Sequence, residues 1–319
     1  MRARPVNSCR CCQSFSETKS SQAMSAFSPA DCEFMALAIR LAQRGIYSCH
    51  PNPRVGCVLV KEGNVVGKGW HIKAGDGHAE INALADAGDS ARGAIAYLSL
   101  EPCSHHGKTP PCVNALVDAG IVEVVAAGDD PNPKVAGAGF AALRDAGITV
   151  RSGLMQNVAE KLNEGFFSRI NQARPFVRLK VASSLDGRTA MSSGESQWIT
   201  GEAARADVQR LRAASGAVMV GAATVLADDP ALTVRDPQIE NDGMQPHRVV
   251  VDSHLRTPPG SQLFNEEGDT TIFCVSDDNR AALEAAGSQV IVVPAKDGKT
   301  DLSAVLRSLA QQRINDLLV

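Results

Sequence analysis

The alternation of apolar and polar positions along residues 28–172 predicts helices interleaved with strands. Ser28 and Pro29 are typical of a helix start, and apolar side chains then recur on one helical face, at Phe34, Leu37, Ala38 and Leu41. Strands at residues 55–61 and 65–70 are predicted to form a hairpin. After the hairpin, we predict helices at residues 78–87, 112–119 and 140–146 and strands at residues 94–100 and 122–127. This order predicts an α/β domain with three α/β/α layers, in which helices cover both faces of a sheet.

A polar stretch that ends at residues 171–175 interrupts this pattern, and we place a domain boundary there. The second half predicts another α/β domain, with strands at residues 176–182, 217–220, 248–251, 270–275 and 289–293 and helices at residues 201–213 and 302–311. Residues 314–319 are typical of the first part of a strand inside a sheet. The predicted domains are therefore residues 28–172 and 173–319, the second truncated and incomplete at its C-terminus.

Residues 1–27 show neither a helical nor a strand period, and we predict a disordered extension. Three alternatives stay open for this segment. Cys9, Cys11 and Cys12 form a candidate metal half-site, the Arg- and Ser-rich composition is also typical of an organelle targeting leader, and Met24 is an alternative start.

Composition and charge exclude some classes of function. The chain has 319 residues and a formal net charge of −3, so it lacks the broad positive field expected of a protein that binds nucleic acid or an anionic membrane surface. No apolar run reaches the length of a membrane span. We expect a cytoplasmic protein with small-molecule partners and no nucleic-acid or membrane partner, and the sequence leaves homo-oligomerisation open.

Candidate zinc chemistry lies at the starts of two predicted helices. His78 is followed two positions later by Glu80, Cys103 follows a predicted strand, and Cys112 begins the next helix. One imidazole and two thiolates leave the fourth tetrahedral position of a zinc ion open to water, as in catalytic sites. Glu80 is positioned to move protons between the attacking water and leaving ammonia. This order of residues is typical of zinc deaminases, although base deaminases commonly separate the two cysteines by only two residues.

The stretches 51–56 and 102–112, together with His78 and Glu80, resemble the deaminase half of the bifunctional riboflavin-biosynthesis deaminase/reductase family. The resemblance implies a cytidine-deaminase-like domain that removes an amino group from 2,5-diamino-6-ribosylamino-4(3H)-pyrimidinone 5′-phosphate. It also implies one zinc ion per chain, held by His78, Cys103 and Cys112, with Glu80 as the catalytic proton shuttle. The substrate-binding residues that it implies are Asn52, His105, Lys108, Asp130 and Asn132.

Stretches 180–188, 193–201 and 221–235 resemble the reductase half of the same family, whose fold is similar to dihydrofolate reductase. This resemblance implies that NADPH reduces the ribosyl to a ribityl side chain. The residues implied to bind NADPH are Ala182, Trp198, Thr224, Asp228 and Ser253. Those implied to bind the reductase substrate are Ser196, Arg212, Leu232 and Arg235.

The family continues beyond the last strand of this sequence with a Glu-x-Gly segment and a glycine-containing loop. We therefore expect NADPH to bind weakly, the ribosyl group to be reduced poorly, and the second half to be more protease-sensitive than residues 28–170. Two other functions stay open, a nucleic-acid base deaminase and a protein whose zinc is purely structural. The acidic charge balance disfavours the first, and the open zinc position beside Glu80 disfavours the second.

Overall fold

The structure is a computed structural model that describes residues 27–104, 111–133 and 135–319. Helix α1 (Pro29–Gln43) begins at the predicted position. The Ser28 hydroxyl accepts a hydrogen bond from the Asp31 backbone N–H, while the Asp31 carboxylate accepts one from the Ser28 backbone N–H. This reciprocal capping box fixes the start of the first ordered helix. No helix in the described part of the chain is long and apolar enough to cross a membrane.

The first domain contains a five-stranded sheet. Its strands are β1 (Gly56–Lys61), β2 (Asn64–Trp70), β3 (Ile95–Leu98), β4 (Glu123–Ala126) and β5 (Thr149–Ser152), in the spatial order β2-β1-β3-β4-β5. Strand β1 pairs antiparallel with β2 and with β3, whereas β3, β4 and β5 are parallel. The predicted hairpin is confirmed.

Helices cover both faces of this sheet, which confirms the predicted three layers. One face packs against α2 (Ala79–Ala87), α3 (Cys112–Asp118) and α4 (Ala138–Asp145), and the other against α1 and α5 (Gln156–Leu162). The backbone of β2 lies very close to α2, because a Cβ added at Gly69 would stand 2.3 Å from the carbonyl oxygen of Ala79. Only glycine permits this approach, which holds the start of α2 against the sheet.

The second domain is built on a six-stranded sheet whose strands are all parallel. They are β6 (Phe176–Arg178), β7 (Ala217–Gly221), β8 (His247–Val251), β9 (Thr270–Cys274), β10 (Ser288–Val292) and β13 (Asp316–Leu318), in the order β10-β9-β8-β7-β13-β6. As predicted, β13 lies inside the sheet. Strand β6 is shorter than its predicted span of residues 176–182. The short strands β11 (Ala295–Lys296) and β12 (Lys299–Thr300) form a separate pair.

Four helices belong to the second domain: α7 (Glu202–Ala213), α8 (Ala222–Asp228), α9 (Arg280–Ala285) and α10 (Leu302–Gln311). Val305 and Leu309 of α10 are fully buried against the sheet, where they meet Val249, Phe273 and Leu317. The bounds of α10 match the prediction, because its apolar residues recur at helical spacing and Asp301 caps it.

The polar stretch before residue 173 is not a loop, which corrects the predicted interruption of the pattern. It contains α5 and α6 (Glu164–Gln172), and Gly165, Phe166 and Ser168 of α6 are buried. Between these helices, Asn163 makes two hydrogen bonds to the backbone of Arg54, 2.7 and 2.8 Å long. The Arg54 guanidinium in turn donates to the carboxylate of Asp316 in β13 at 3.3 Å and to the Ala214 carbonyl at 3.2 Å. Arg54 therefore links the two domains.

Candidate metal centre and active-site cavity

Three candidate metal ligands converge at one end of the first sheet. His78 caps the start of α2, Cys112 is the first residue of α3, and Cys103 lies in the loop that follows β3. His78 Nδ1 is 3.2 Å from Cys112 Sγ and 3.6 Å from Cys103 Sγ, and the three ligand atoms all lie within 4.8 Å of one another. Zinc bonds of about 2.0–2.1 Å to nitrogen and about 2.3 Å to sulfur place such atoms roughly 3.5 Å apart in a tetrahedral site. The donor types and their spacing fit zinc.

The thiols and carboxyl at this centre have strongly shifted pKa values. Hydrogen bonds from Cys112 and His78 lower the pKa of the Cys103 thiol to about 4, and the hydrogen bond to Cys103 raises the pKa of Cys112. Glu80 lies in the first turn of α2 and is only 3% exposed. Burial raises the pKa of Glu80 to about 6.

A cavity of about 400 Å³ opens beside the centre. The predicted substrate residues Asn52, Asp130 and Asn132 line it together with His78 and Glu80. The structure thus brings three predicted substrate residues to the metal centre, although Asn52 is far in sequence from Asp130 and Asn132. The other two predicted substrate residues, His105 and Lys108, lie outside the described residues.

His71 is a buried residue of this cavity that the sequence analysis did not single out. Its Nε2 is 3.0 Å from Asn52 Nδ2, and its Nδ1 is 3.2 Å from the Gly77 carbonyl oxygen. An amide nitrogen can only donate and a carbonyl can only accept, so these contacts require a neutral imidazole protonated on Nδ1. Burial lowers the pKa of His71 and favours that form. A single histidine after a strand gave no sequence signal.

Glu101 is a second residue that the sequence analysis missed. Its buried carboxylate accepts hydrogen bonds from the backbone N–H groups of Asp130, Gly137, Gly139 and Phe140, at 2.9 to 3.3 Å. These contacts attach the Asp130 loop and the start of α4 to the residue that precedes Pro102 and Cys103. Glu101 therefore sets the position of the predicted pyrimidine-binding loop relative to the metal ligands. The position of Glu101 two residues before Cys103 was the feature of the sequence that could have indicated its role.

Two arginines from outside the predicted site also line the cavity. Arg169 belongs to α6, and Arg313 belongs to the turn between α10 and β13 of the second domain. Nothing in the sequence pattern indicated that either would reach the metal centre, since Arg313 is 201 positions after Cys112.

Four of the residues predicted to bind NADPH lie beyond the carboxyl ends of strands β6, β7 and β8 of the second sheet. Ala182 follows β6, Thr224 and Asp228 are in α8 directly after β7, and Ser253 follows β8. Ligands of open α/β sheets bind at this edge. Trp198 also belongs to this predicted group; the residue is 71% exposed, and the Arg205 guanidinium lies over its ring at 4.6 Å. Ser253 hydrogen-bonds Thr300.

The predicted reductase-substrate residues occupy two different environments. Arg212 donates a hydrogen bond to the Thr233 carbonyl, and burial followed by the charge of Arg235 lowers the pKa of Arg212. Among the described residues, Arg212 Nε and the Thr233 hydroxyl are buried without a hydrogen-bond partner. By contrast, Ser196 is exposed, and Leu232 is buried in a small apolar cluster with Val218 and Leu318. Because these two polar atoms lack partners, we expect the part of the predicted substrate site around Arg212 to contact a ligand.

Comparison with known proteins gives matches over both domains. Residues 28–128 match the family model described as cytidine and deoxycytidylate deaminase zinc-binding region, and residues 175–319 match the RibD C-terminal domain. The chain is 48% identical over 295 residues to the riboflavin biosynthesis protein RibD of Escherichia coli, covering 90% of this chain and 80% of that protein.

Two solved structures are similar over most of the chain. RibD of Acinetobacter baumannii has a TM-score of 0.84 and 47% identity, covering 91% of this chain and 80% of that one. A diaminohydroxyphosphoribosylaminopyrimidine deaminase/5-amino-6-(5-phosphoribosylamino)uracil reductase from Thermotoga maritima has a TM-score of 0.80 and 36% identity, with the same coverage.

Proposed function

The chain belongs to the RibD family of riboflavin-biosynthesis proteins, and from that premise we propose how its own residues carry out deamination and reduction. It is a bifunctional enzyme with a zinc-dependent deaminase and an NADPH-dependent reductase. The deaminase acts on 2,5-diamino-6-ribosylamino-4(3H)-pyrimidinone 5′-phosphate and releases the 2-amino group as ammonia. The reductase then converts the ribosyl side chain of the product into a ribityl chain.

His78, Cys103 and Cys112 hold the metal in this proposal. The zinc ion, when bound, supplies a Lewis acid that makes water a nucleophile near neutral pH. The chain fixes the geometry, because two of the ligands begin helices that pack against the sheet and the third is tied to the Cys112 backbone N–H at 3.4 Å. The candidate ligands are thus brought together by the fold itself.

Glu80 transfers protons in this proposal. Its carboxylate lines the cavity that also contains the metal ligands, and burial shields it from bulk solvent. It accepts a proton from the attacking water and delivers it to the departing amino group, so that ammonia leaves rather than an amide anion. The carboxylate takes up this proton and gives it away within one turnover, so Glu80 returns to its starting protonation state.

Asn52, Asp130 and Asn132 orient the pyrimidine. His71 accepts a hydrogen bond from Asn52 Nδ2 and thereby leaves the Asn52 amide in one orientation. Glu101 holds the Asp130 loop against the metal ligands. The substrate ring presents amino, amide N–H and carbonyl groups, which match the donors and acceptors of these three side chains. His105 and Lys108 are proposed to act with them.

In the second domain, the proposal assigns NADPH to Ala182, Trp198, Thr224, Asp228 and Ser253. The substrate is assigned to Ser196, Arg212, Leu232 and Arg235. Two observations support a ligand here, the location of these residues at the carboxyl edge of parallel strands and the unpartnered Nε of Arg212. NADPH, when bound, supplies the hydride. Arg212 and Arg235 bring two positive charges toward a phosphorylated substrate.

We also propose that the enzyme works in the cytoplasm. Six cysteines of the described residues are free thiols, among them the two cysteines proposed as zinc ligands, and a reducing compartment preserves such thiols. The observation that carries the whole proposal is the imidazole, two thiols and buried carboxylate that face one cavity in a chain of this family.

Ammonia release from the pyrimidine nucleotide tests the deaminase. Glu80→Gln leaves the three metal ligands untouched, so we expect full zinc content and a fall in the rate of about 10²- to 10⁴-fold. Glu33→Gln, an exposed substitution on α1, is the matched control and keeps the wild-type rate. Activity of Glu80→Gln within about tenfold of wild type contradicts the proton-transfer role. NADPH oxidation with the deaminated intermediate tests the reductase separately.

A further inference from the structure

The second domain contributes a side chain to the deaminase cavity. Arg313 follows α10, yet it lines the cavity that contains the metal ligands, and its Nη2 lies 3.5 Å from Asn52 Oδ1. The neighbouring Asn315 donates to the Pro51 carbonyl at 2.9 Å, which fixes this turn against the loop of Asn52. The position of Arg313 therefore depends on how the two domains pack together.

Arg313 occupies a backbone position that normally favours glycine. Its N–H donates to the Ala310 carbonyl and the Ile314 N–H donates to the Leu309 carbonyl, which are the two hydrogen bonds of a Schellman helix end. In this type of helix end, the residue just after the helix must adopt a left-handed conformation. That residue is Arg313, and its φ is +66°. A side chain at this position adds backbone strain that glycine would avoid. The requirements of the helix end do not explain an arginine here.

Arg169 and Arg313 are two neighbouring cations. After burial, the charge of Arg313 is the next cause that lowers the pKa of Arg169. Arg169 Nε donates to the neutral side chain of Asn315 at 2.6 Å. Within the described residues, no ion pair involves either guanidinium. Two adjacent cations that face one cavity repel each other until an anion lies between them.

A hydrogen-bond chain connects Arg313 with the interior of the cavity. Arg313 donates to Asn52 Oδ1, Asn52 Nδ2 donates to His71 Nε2, and His71 Nδ1 donates to the Gly77 carbonyl, one residue before the metal ligand His78. Arg313 thus contacts the amide oxygen of Asn52, whereas His71 contacts the amide nitrogen, and Arg169 lines the same cavity. A ligand whose ring meets Asn52 can extend its tail toward the two guanidinium groups.

We propose that Arg169 and Arg313 bind the phosphate monoester of the deaminase substrate, so that the second domain completes the deaminase site. This inference rests on the proposed deaminase function. Guanidinium groups bind phosphate oxygens through paired hydrogen bonds, and a dianion neutralises both charges. Full affinity for the phosphorylated substrate therefore depends on the second domain, even though all the metal ligands belong to the first.

The test compares the phosphorylated pyrimidine with its dephosphorylated counterpart in deaminase assays on the full chain. Arg313→Gly suits the backbone, because glycine accepts φ +66° without strain. Arg313→Ala removes the same charge by another route, and Arg169→Ala removes the second charge. We expect KM for the phosphorylated substrate to rise about 10- to 100-fold with little change in kcat. KM for the dephosphorylated compound stays as in wild type. Arg313→Lys, which retains the charge, recovers part of the loss.

Arg307→Ala is the matched control, because this arginine is an exposed residue of α10 that pairs with Asp301. It keeps wild-type KM for both compounds. Inorganic phosphate, used as a competitive inhibitor of the deaminase, binds at least about tenfold more weakly to Arg313→Gly than to wild type.

Two results would overturn the proposal. Either KM for the phosphorylated substrate is unchanged in all the arginine variants and is raised only by Lys108→Ala, or both compounds lose affinity equally. The second result would assign Arg313 to the positioning of Asn52 alone. Ammonia release by wild type and its loss in Glu80→Gln are measured in the same series, so failure of the phosphate assignment is distinguished from failure of the deaminase function.

Discussion

The two candidate sites differ in how completely the protein itself surrounds them. In the first domain, Glu80 and Cys112 are buried, and Glu101 fixes the adjoining loop by four backbone hydrogen bonds. In the second domain, most side chains of residues 179–200 are exposed, Leu185 completely so, and α7 has no buried residue. The deaminase centre is therefore built by packing, whereas the residues assigned to NADPH have few contacts of their own.

This difference follows from the chemistry that each site needs. Two thiols and an imidazole must converge within a few ångströms, so their elements have to be fixed by the core. A dinucleotide presents a long surface to many residues, and its own contacts stabilise the protein that binds it. If order in the first site and exposure in the second are properties of the protein in solution, substitutions in the two domains should have very different effects.

Removal of the thiols is expected to have the largest effect. Cys103→Ala combined with Cys112→Ala leaves one ligand of three, so zinc content falls from one ion per chain to none and deamination falls to background. Metal analysis of the purified protein measures this. Cys32→Ala, which removes an exposed thiol, keeps one zinc ion, as does replacement of Cys9, Cys11 and Cys12. Full zinc retention in the double variant would show that the metal is held elsewhere.

Glu101→Gln is expected to weaken both the stability of the protein and its binding of the deaminase substrate. A glutamine has one acceptor oxygen and a donor NH₂ where the carboxylate accepts four N–H groups, so buried donors lose their partners. The free energy of unfolding should fall by about 2 to 3 kcal/mol, and KM of the deaminase should rise, since the Asp130 loop is no longer held. Denaturant titration and kinetics measure the two effects. Glu62→Gln in the exposed β1–β2 turn is the control, and equal stability of both variants would contradict the anchoring role.

His50 lies at the boundary between the domains, and its protonation makes the free energy of unfolding depend on pH. Its ring packs against Gly216, where an added Cβ would lie 2.3 Å from Cε1. Burial, and then the charge of Arg54, lower the pKa of His50 from 6.5 to about 4, and Arg169, Arg313 and His247 act in the same direction. The unfolded chain binds a proton between pH 6.5 and pH 4 that the folded protein excludes. The contribution of His50 to the free energy of unfolding is therefore complete above pH 6.5, and it is lost as the pH falls toward 4.

The size of this loss is on the order of 3 kcal/mol, at about 1.4 kcal/mol per pH unit. The free energy of unfolding measured at pH 7, 6, 5 and 4 should fall with a steeper slope for wild type than for His50→Gln, which cannot titrate. Identical slopes would mean that His50 is accessible to protons in the folded protein and that the two domains pack more loosely at this boundary.

Sequence reasoning identified the parts of the site that are close along the chain or attached to regular elements. His78 and Glu80 are two positions apart in one helical turn, and Cys103 and Cys112 flank one loop, so their element assignments sufficed to bring them together. The family resemblance added Asn52, Asp130 and Asn132, which no periodicity would have selected. His71 and Glu101 stayed unnoticed because a lone histidine and a lone glutamate are ordinary residues until their hydrogen bonds are known.

The remaining differences have physical reasons. Strand β5 was not predicted because its four residues, Thr149–Ser152, contain a single apolar side chain. Helices α5 and α6 are short and largely polar, so they resembled a linker. Arg169 and Arg313 reach the cavity through packing between domains, and Arg313 stands where a helix end would favour glycine. The local pattern of apolar and polar residues contains no information about the position of either arginine.

The smallest expected effect concerns the exposed segment of the second domain. Leu185→Ala removes a side chain that makes no buried contact in the structure, so the free energy of unfolding should change by less than about 0.5 kcal/mol. Leu98→Ala is the matched substitution in the first domain, and it should lower that free energy by about 2 to 5 kcal/mol because Leu98 is fully buried in β3. Denaturant titration of both variants gives the comparison directly. A loss above about 1 kcal/mol for Leu185→Ala would show that residues 179–200 pack in solution, and the contrast between the two sites would then disappear.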